Sequence, residues 1–492
     1  MLQTPPGPCA TLLAAVLLAG AAALPASAST ATPATTATTA ISGTSATISA
    51  SGPAASLSAR VDRLVQEAAA KADFNGAVVL MRDGQVVYER AVGLAQRRPD
   101  RPLTVDTPSD GASLAKTLTA AALWELVAEG RLAYDDRVVR HLPEYPYARH
   151  TVRDLVTHRS GLPDYDFFDP DFKPGQVRDT VDLLRVLAQR KPAPVFADGV
   201  QLEYANLGFD TAALVVERVT GQRIATWWRE RYFGRLGIDG MFARPARFAD
   251  WPGQRTPGYR RKGAAWLPND AFDGEAFIGA SNVHASARDW ARWGDAFARG
   301  RVMAPDRLQV GLDAPMLDSG MDNRLNLLSW YCDSGAQRCH YTGAYNGFYS
   351  QVYWDRSRRE VVAYVSNSTL APWRCAALTR DLVDALAGRA AAPERVSTWV
   401  RVGKKELPRW TGSYRAAALP PVVISAQAGR AFVRVGSGEL ASLFPVGGGV
   451  YYAPTLDLWL AFSGAPQAAT LHVRSVFLVA DAVRDSAPAG KS

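Results

Sequence analysis

The sequence predicts an α+β domain followed by a smaller all-β domain, and three observations carry that expectation. Two β-prone runs joined by an Asp-Gly pair stand near the start of the foldable region. Three more strand-like runs and a helix follow a long helical block, and beyond residue 394 short strands alternate with Gly/Pro turns. One antiparallel sheet, built from both ends of residues 57–390 and packed on the helical block, accommodates the first two. A barrel or sandwich over residues 394–492 accommodates the third.

Taken in order, residues 1–28 read as an export signal. Ala10 to Leu24 is an apolar run of signal-peptide length and Ala26-Ser27-Ala28 fits a cleavage site, although Met1 to Pro8 carries no lysine or arginine. The expected location is therefore periplasmic or secreted, with no membrane span in the mature chain. Residues 29–56 are Ala/Thr/Ser-rich and read as a disordered linker. An amphipathic helix is expected over Ala59 to Ala72, then a hairpin of Gly76 to Met81 and Gln85 to Arg90 turning at Arg82-Asp83-Gly84. Helix and loop dominate from Ser113 to about Gly300. Strands return at His340 to Thr342, Phe348 to Trp354 and Glu360 to Val365, with a helix at Trp373 to Leu386. The last domain shows strand-like runs at Val422 to Ser425, Ala431 to Val435, Gly449 to Tyr452, Leu456 to Phe462 and Leu471 to Leu478.

Composition removes several function classes. The hydrophobic fraction is 48% and the charged fraction 21%, ordinary for a globular protein. The net charge of +8 comes from arginines scattered among acids, without a basic stripe or a nucleic-acid module, so no nucleic-acid partner is expected. The six histidines are dispersed and no metal-ligand spacing is visible, so neither a metal nor another cofactor is expected. Cys332 and Cys339 flank a turn-like Asp333-Ser334-Gly335, which fits a local disulfide in an oxidising compartment or two ordinary thiols.

The most telling stretch is Ser113-Leu114-Ala115-Lys116 at the head of a helical run. Residues three apart share a helix face, so hydroxyl and amine are neighbours. A hydroxyl is a weak nucleophile until a base takes its proton, and a desolvated lysine is such a base. Only eight of the 55 basic residues are lysine. Arginine cannot accept a proton, so lysine at this position in an arginine-rich chain is informative. The serine N–H lies among the unpaired donors of a helix start and can meet an oxyanion. Two further clusters stand out: Tyr204-Ala205-Asn206 before a helical run, and Tyr341-Thr342-Gly343 on a strand leading to Gly347-Phe348.

With these three clusters in this order, the chain resembles the serine β-lactamase and penicillin-binding protein superfamily, in its class C-like branch. That branch includes D-aminopeptidases, carboxypeptidase-like enzymes and related esterases. Supporting stretches are Phe74-Asn75-Gly76, Glu129-Gly130-Arg131-Leu132, Asp154 through Pro163, and Ser286-Ala287-Arg288-Asp289-Trp290. The resemblance implies a β-lactamase/transpeptidase-like fold over the first domain. It implies Ser113 as nucleophile, Lys116 as proton acceptor or base-orienting group, and Tyr204 as second member of the relay, its phenolate favoured by the ammonium. Asn206 would bind Lys116 and the substrate amide. The N–H groups of Ser113 and Ala344 would form the oxyanion hole, with Tyr341, Thr342 and Gly343 lining the substrate edge. His158, in the Thr-His-Arg-Ser-Gly loop, is expected to be structural, and His340 to face away from Tyr341 in a packing role.

Three departures bear on substrate. Tyr341 stands where relatives carry Lys or His to hold a carboxylate, Asp198-Gly199 replaces Pro-Gly, and Ser281-Asn282 replaces Gly-Gly. The tail resembles a lipocalin-like domain, opening on Leu407-Pro408-Arg409-Trp410-Thr411-Gly412-Ser413-Tyr414. The expected function is an exported serine hydrolase that forms an acyl-enzyme on Ser113 and cleaves a small-molecule or peptide substrate at a peptide, amide or ester bond. The alternative is a binding module that keeps the pocket without turnover. An α/β-hydrolase would need a Gly-x-Ser-x-Gly elbow, which the chain lacks.

Overall fold

The computed structural model describes residues 56–485 except 72–73, 174, 195–203, 314, 319–323, 334, 370–371, 390–401, 404, 418, 428, 437–439, 448, 454–455, 465–469 and 477–478. The expected signal and linker, with Cys9, and the Asp198-Gly199 pair lie outside the described residues.

Helix α1 (Leu57–Lys71) leads into the hairpin β1 (Gly76–Arg82) and β2 (Gln85–Val92). The turn holds Asp83 and Gly84 at φ 51° and 79°, the left-handed geometry that Asp-Gly tolerates. After the helical block come β3 (Pro315–Asp318), β4 (Arg324–Asn326), β5 (Tyr331–Cys332), β6 (Arg338–Tyr345), β7 (Phe348–Asp355) and β8 (Glu360–Ser366). These strands form one antiparallel sheet in the order β3-β4-β5-β6-β7-β8-β1-β2. The hairpin from the front of the domain thus docks on β8 at its end.

Both faces of this sheet are covered, and the side chains sort by parity. Ala77, Val79 and Met81 of β1, with Val361, Ala363 and Val365 of β8, pack toward the helical block. Val78, Leu80, Val362 and Tyr364 point the other way, toward α1 and the final helix of the domain, α6 (Pro372–Leu386). In between lie α2 (Ala115–Ala128), α3 (Thr180–Arg190), α4 (Asn206–Thr220) and α5 (Ala287–Ala298). Helix α2 is buried on nearly every side, which is why its sequence reads apolar without a polar stripe. Asp179 and Ser286 start α3 and α5 with reciprocal capping boxes to Asp182 and Asp289.

The C-terminal domain is a closed eight-stranded barrel: β9 (Gly412–Ala416), β10 (Leu419–Gln427), β11 (Arg430–Val435), β12 (Ala441–Gly447), β13 (Val450–Ala453), β14 (Leu458–Ser463), β15 (Thr470–Arg474) and β16 (Val479–Arg484). Strand β9 pairs with β16 to close it. Two differences from the sequence expectation stand out. The opening signature hides a strand, because Gly412 to Ala416 is short and polar on alternate positions. Of the run Leu471 to Leu478, residues up to Arg474 belong to β15 and Ser475 and Val476 leave the strand. The barrel packs on the outer sheet face, where Val450, Trp459, Ala461 and Val476 join Tyr349, Tyr353 and Tyr364 in one apolar cluster.

Among the described residues no helix is long and apolar enough to cross a membrane.

Candidate active site

The site forms where the start of α2 meets the start of α4 and the free edge of β6. Strand β5 pairs with β6 only at His340 and Cys339, so among the described residues Thr342 to Tyr345 have no partner strand on that side. Their other side is zipped to β7. Cys332 and Cys339 are disulfide-bonded across the β5–β6 pair, just before the third motif.

Ser113 sits in a single 3-10 turn, Ala112–Leu114, ahead of α2. The preceding Ala112 has φ 45°, a left-handed conformation that costs a non-glycine residue on the order of 1 kcal/mol or more. Asp110 holds this turn: its Oδ1 accepts the Ala112 N–H at 2.7 Å. The other oxygen, Oδ2, lies 3.5 Å from His284 Nε2. Burial raises the Asp110 carboxyl to about 7 and drives His284 well below its ordinary value. Nothing in the sequence flagged either residue, since they are 174 positions apart.

Lys116 is fully buried and its Nζ meets three oxygens: Ser113 Oγ at 3.1 Å, Asn206 Oδ1 at 2.8 Å and the Ala280 carbonyl at 3.0 Å. The last two are pure acceptors. The Asn206 amide is fixed because its Nδ2 donates to both Asp164 carboxylate oxygens, at 3.3 and 3.2 Å. A neutral amine has two N–H bonds and one lone pair. With the N–H bonds spent on Asn206 and Ala280, the lone pair is left for the serine hydroxyl. Burial lowers Lys116 to about 7, against the opposing pull of the Asp210 and Asp164 carboxylates. Those two acids are themselves raised to about 7 by burial.

Tyr204 Oη lies 2.8 Å from Ser113 Oγ, with Lys116 Nζ 4.8 Å from its ring centroid. Here the electrostatics differ from the sequence expectation of a favoured phenolate. Burial first, then neighbouring Tyr341 and the Asp164 and Asp210 carboxylates, raise Tyr204 well above its ordinary value. The ammonium is outweighed, and Tyr204 enters the site as a neutral phenol. His158 packs tilted against Tyr204 with ring centroids 4.5 Å apart, and burial beside Lys116 lowers it to about 3. A base that weak supports the ring packing, not proton transfer.

On the third motif, Gly343 is required by space. A Cβ there would stand 2.1 Å from the Gly111 carbonyl, 2.5 Å from Ser350 Oγ and 3.0 Å from Ser113 N. The Gly343–Ala344 backbone therefore runs directly beside the Ser113 N–H. Gly343→Ala is expected to cost roughly 1–3 kcal/mol of stability by overpacking. It should also slow acylation of whatever protein remains folded; thermal unfolding and serine-labelling rate, measured together, check both. Thr342 is half-buried and its hydroxyl donates to Gln351 Oε1 at 2.6 Å, which ties the motif strand to β7. Tyr341 is buried, stacked on Tyr331 at 5.7 Å, and held neutral by burial.

Three supporting residues escaped the sequence reading besides Asp110. Asp164 directly follows the Asp154 to Pro163 stretch and anchors Asn206 through both its amide and its backbone N–H. Asp210 stands one helical turn after Asn206, where it accepts from Ala280 N at 2.9 Å and Tyr165 Oη at 2.6 Å. That i, i+4 spacing was the available signal. The Ala280 carbonyl gave none. Among the described residues no group of three or more His, Cys, Asp or Glu side chains could hold a metal ion.

Comparison with known proteins agrees with this geometry. The family model described as Beta-lactamase matches residues 61–387. Esterase EstB of Burkholderia gladioli is 32% identical over 293 residues, covering 51% of this chain and 73% of the esterase. Penicillin-binding protein 4* of Bacillus subtilis is 30% identical over 177 residues, which span 36% of this chain and only 39% of that protein. In fold, the chain is similar to an octameric penicillin-binding protein homologue from Pyrococcus abyssi, with TM-score 0.58 and 16% identity, over 87% of this chain and 99% of the other.

Proposed function

This chain belongs to the Beta-lactamase family, and from that premise we propose that it is an exported serine hydrolase forming an acyl-enzyme on Ser113. One observation carries the reading. Lys116 Nζ stands 3.1 Å from Ser113 Oγ with both its remaining contacts taken by acceptors, which leaves its lone pair for the hydroxyl proton.

The steps follow from the geometry. Ser113 Oγ attacks the substrate carbonyl carbon as its proton passes to Lys116 Nζ. The carbonyl oxygen gains the displaced electron pair and is met by the N–H groups of Ser113 and Ala344. When the tetrahedral species collapses, Lys116 Nζ gives its proton to the leaving group, with the neutral Tyr204 hydroxyl beside the reacting oxygen, 2.8 Å from Ser113 Oγ. Water then repeats the sequence on the acyl-enzyme and restores Ser113.

Substrate class follows from Tyr341. A neutral phenol at the head of the third motif offers no charge to a substrate carboxylate. Uncharged esters and amides are the proposed substrates, in line with the name of the esterase relative. The test is a panel of short-chain nitrophenyl esters, D-amino-acid amides, D-Ala-D-Ala peptides and β-lactams, combined with a fluorophosphonate probe mapped by mass spectrometry. The expected result is labelling at Ser113 and ester turnover well ahead of the two carboxylate-bearing classes. Absence of both labelling and turnover would establish the alternative, a binding module that retains the pocket.

A further inference from the structure

The barrel reaches the third motif through a buried polar relay. Asp457 lies in the barrel, at the turn entering β14, and is 2% exposed. Its Oδ1 accepts from Tyr452 Oη at 2.8 Å, and its Oδ2 lies 3.3 Å from Nε2 of His340 on β6. The other ring nitrogen, Nδ1, faces Gln351 Nε2 at 3.4 Å. The same amide accepts the Thr342 hydroxyl at Oε1, at 2.6 Å. Gln351 thus joins His340 Nδ1 to Thr342, while the imidazole Nε2 faces the Asp457 carboxyl. A second connection runs through rings: His340 stacks on Tyr331 at 5.8 Å, and Tyr331 stacks on Tyr341 at 5.7 Å.

These contacts have a direction. Among the described residues strand β6 has no partner strand beyond His340 on its open edge, while β7 pairs with it along the other. His340 is the side chain of the motif strand that points into the barrel. Burial lowers His340 to about 3 and raises Asp457 to about 7, so a neutral imidazole faces the buried carboxyl.

We propose that Asp457, carried by the barrel, is a positioning residue for the third motif, acting through His340 and Gln351 on Thr342 and through the ring stack on Tyr341. The barrel is then a working wall of the site. The inference rests on Ser113 being the reactive serine, and two measurements on the full chain separate the two ideas.

The first is the rate of fluorophosphonate labelling in Asp457→Ala and Asp457→Asn. Asparagine keeps a polar group of the same shape facing His340 Nε2; alanine does not. Asp457→Ala is expected to label roughly tenfold more slowly, while Asp457→Asn recovers to within about twofold of wild type. Arg415→Ala, in an exposed barrel ion pair with Asp485, serves as the control and is expected to label normally. The second is hydrogen exchange of the β6 segment, which needs no activity: faster exchange in Asp457→Ala, restored by asparagine, is the expected pattern. A normal labelling rate in Asp457→Ala with unchanged β6 exchange overturns the proposal, as does failure of asparagine to rescue. A wild type that labels nowhere overturns the Ser113 reading instead, and the exchange measurement still decides the relay.

Discussion

Ser113→Ala is expected to remain folded and to lose hydrolysis of an activated ester by a factor on the order of 10³ to 10⁶. The residue is only part-buried and its hydroxyl hydrogen-bonds Lys116 and Tyr204, so alanine removes the proposed nucleophile and leaves the turn held by Asp110. Steady-state ester hydrolysis at matched concentrations, with thermal unfolding as a folding check, measures the effect. A variant that keeps more than a tenth of wild-type turnover would remove Ser113 from the mechanism.

The second large effect concerns Lys116. Its ammonium cannot serve as a base; only the neutral amine can. Since burial places it at about 7, the neutral fraction grows as pH rises through that point. Wild-type kcat/KM is therefore expected to fall about tenfold per unit below roughly pH 6 and to level off above about 8. Lys116→Arg stays protonated at every accessible pH and should lose about 10³-fold or more, without the rising limb. Lys116→Met, close in shape, should lose a comparable amount while keeping more of the packing. Asp210→Asn supplies the sign check: its carboxylate favours the ammonium, so removing it should move the rising limb to lower pH. A limb that stays in place, or moves up, would mean that another group governs the profile.

Much of the fold could be read from local sequence because local chemistry decides it. The Asp83-Gly84 turn forced the first hairpin, and Ser286 with Asp289 fixed the start of α5. Ser113, Lys116, Tyr204 and Asn206, which the structure brings together, were legible because serine-hydrolase chemistry calls for those residue types at those spacings. What escaped was non-local. Asp110 and Asp457 matter through partners far along the chain, and neither carries a motif of its own. The ionisation of Tyr204 was misjudged for a related reason. A neighbouring lysine was visible in sequence, whereas full burial and the adjacent carboxylates were not. The barrel strand β9 was missed because a short strand with mixed polarity gives a weak period-two signal, and β12 and β16 were not read as strands either.

The docking of the first hairpin onto β8 has a consequence for how the molecule comes into being. Ser113 and Lys116 leave the ribosome early, but the edge that faces them and the strand that locks the sheet appear more than two hundred residues later. Contacts this distant close slowly and nearly together. Hydrolytic competence should therefore switch on in a single late step, and a nascent or truncated chain ending before Gly343 carries its reactive pair with nothing to aim it at.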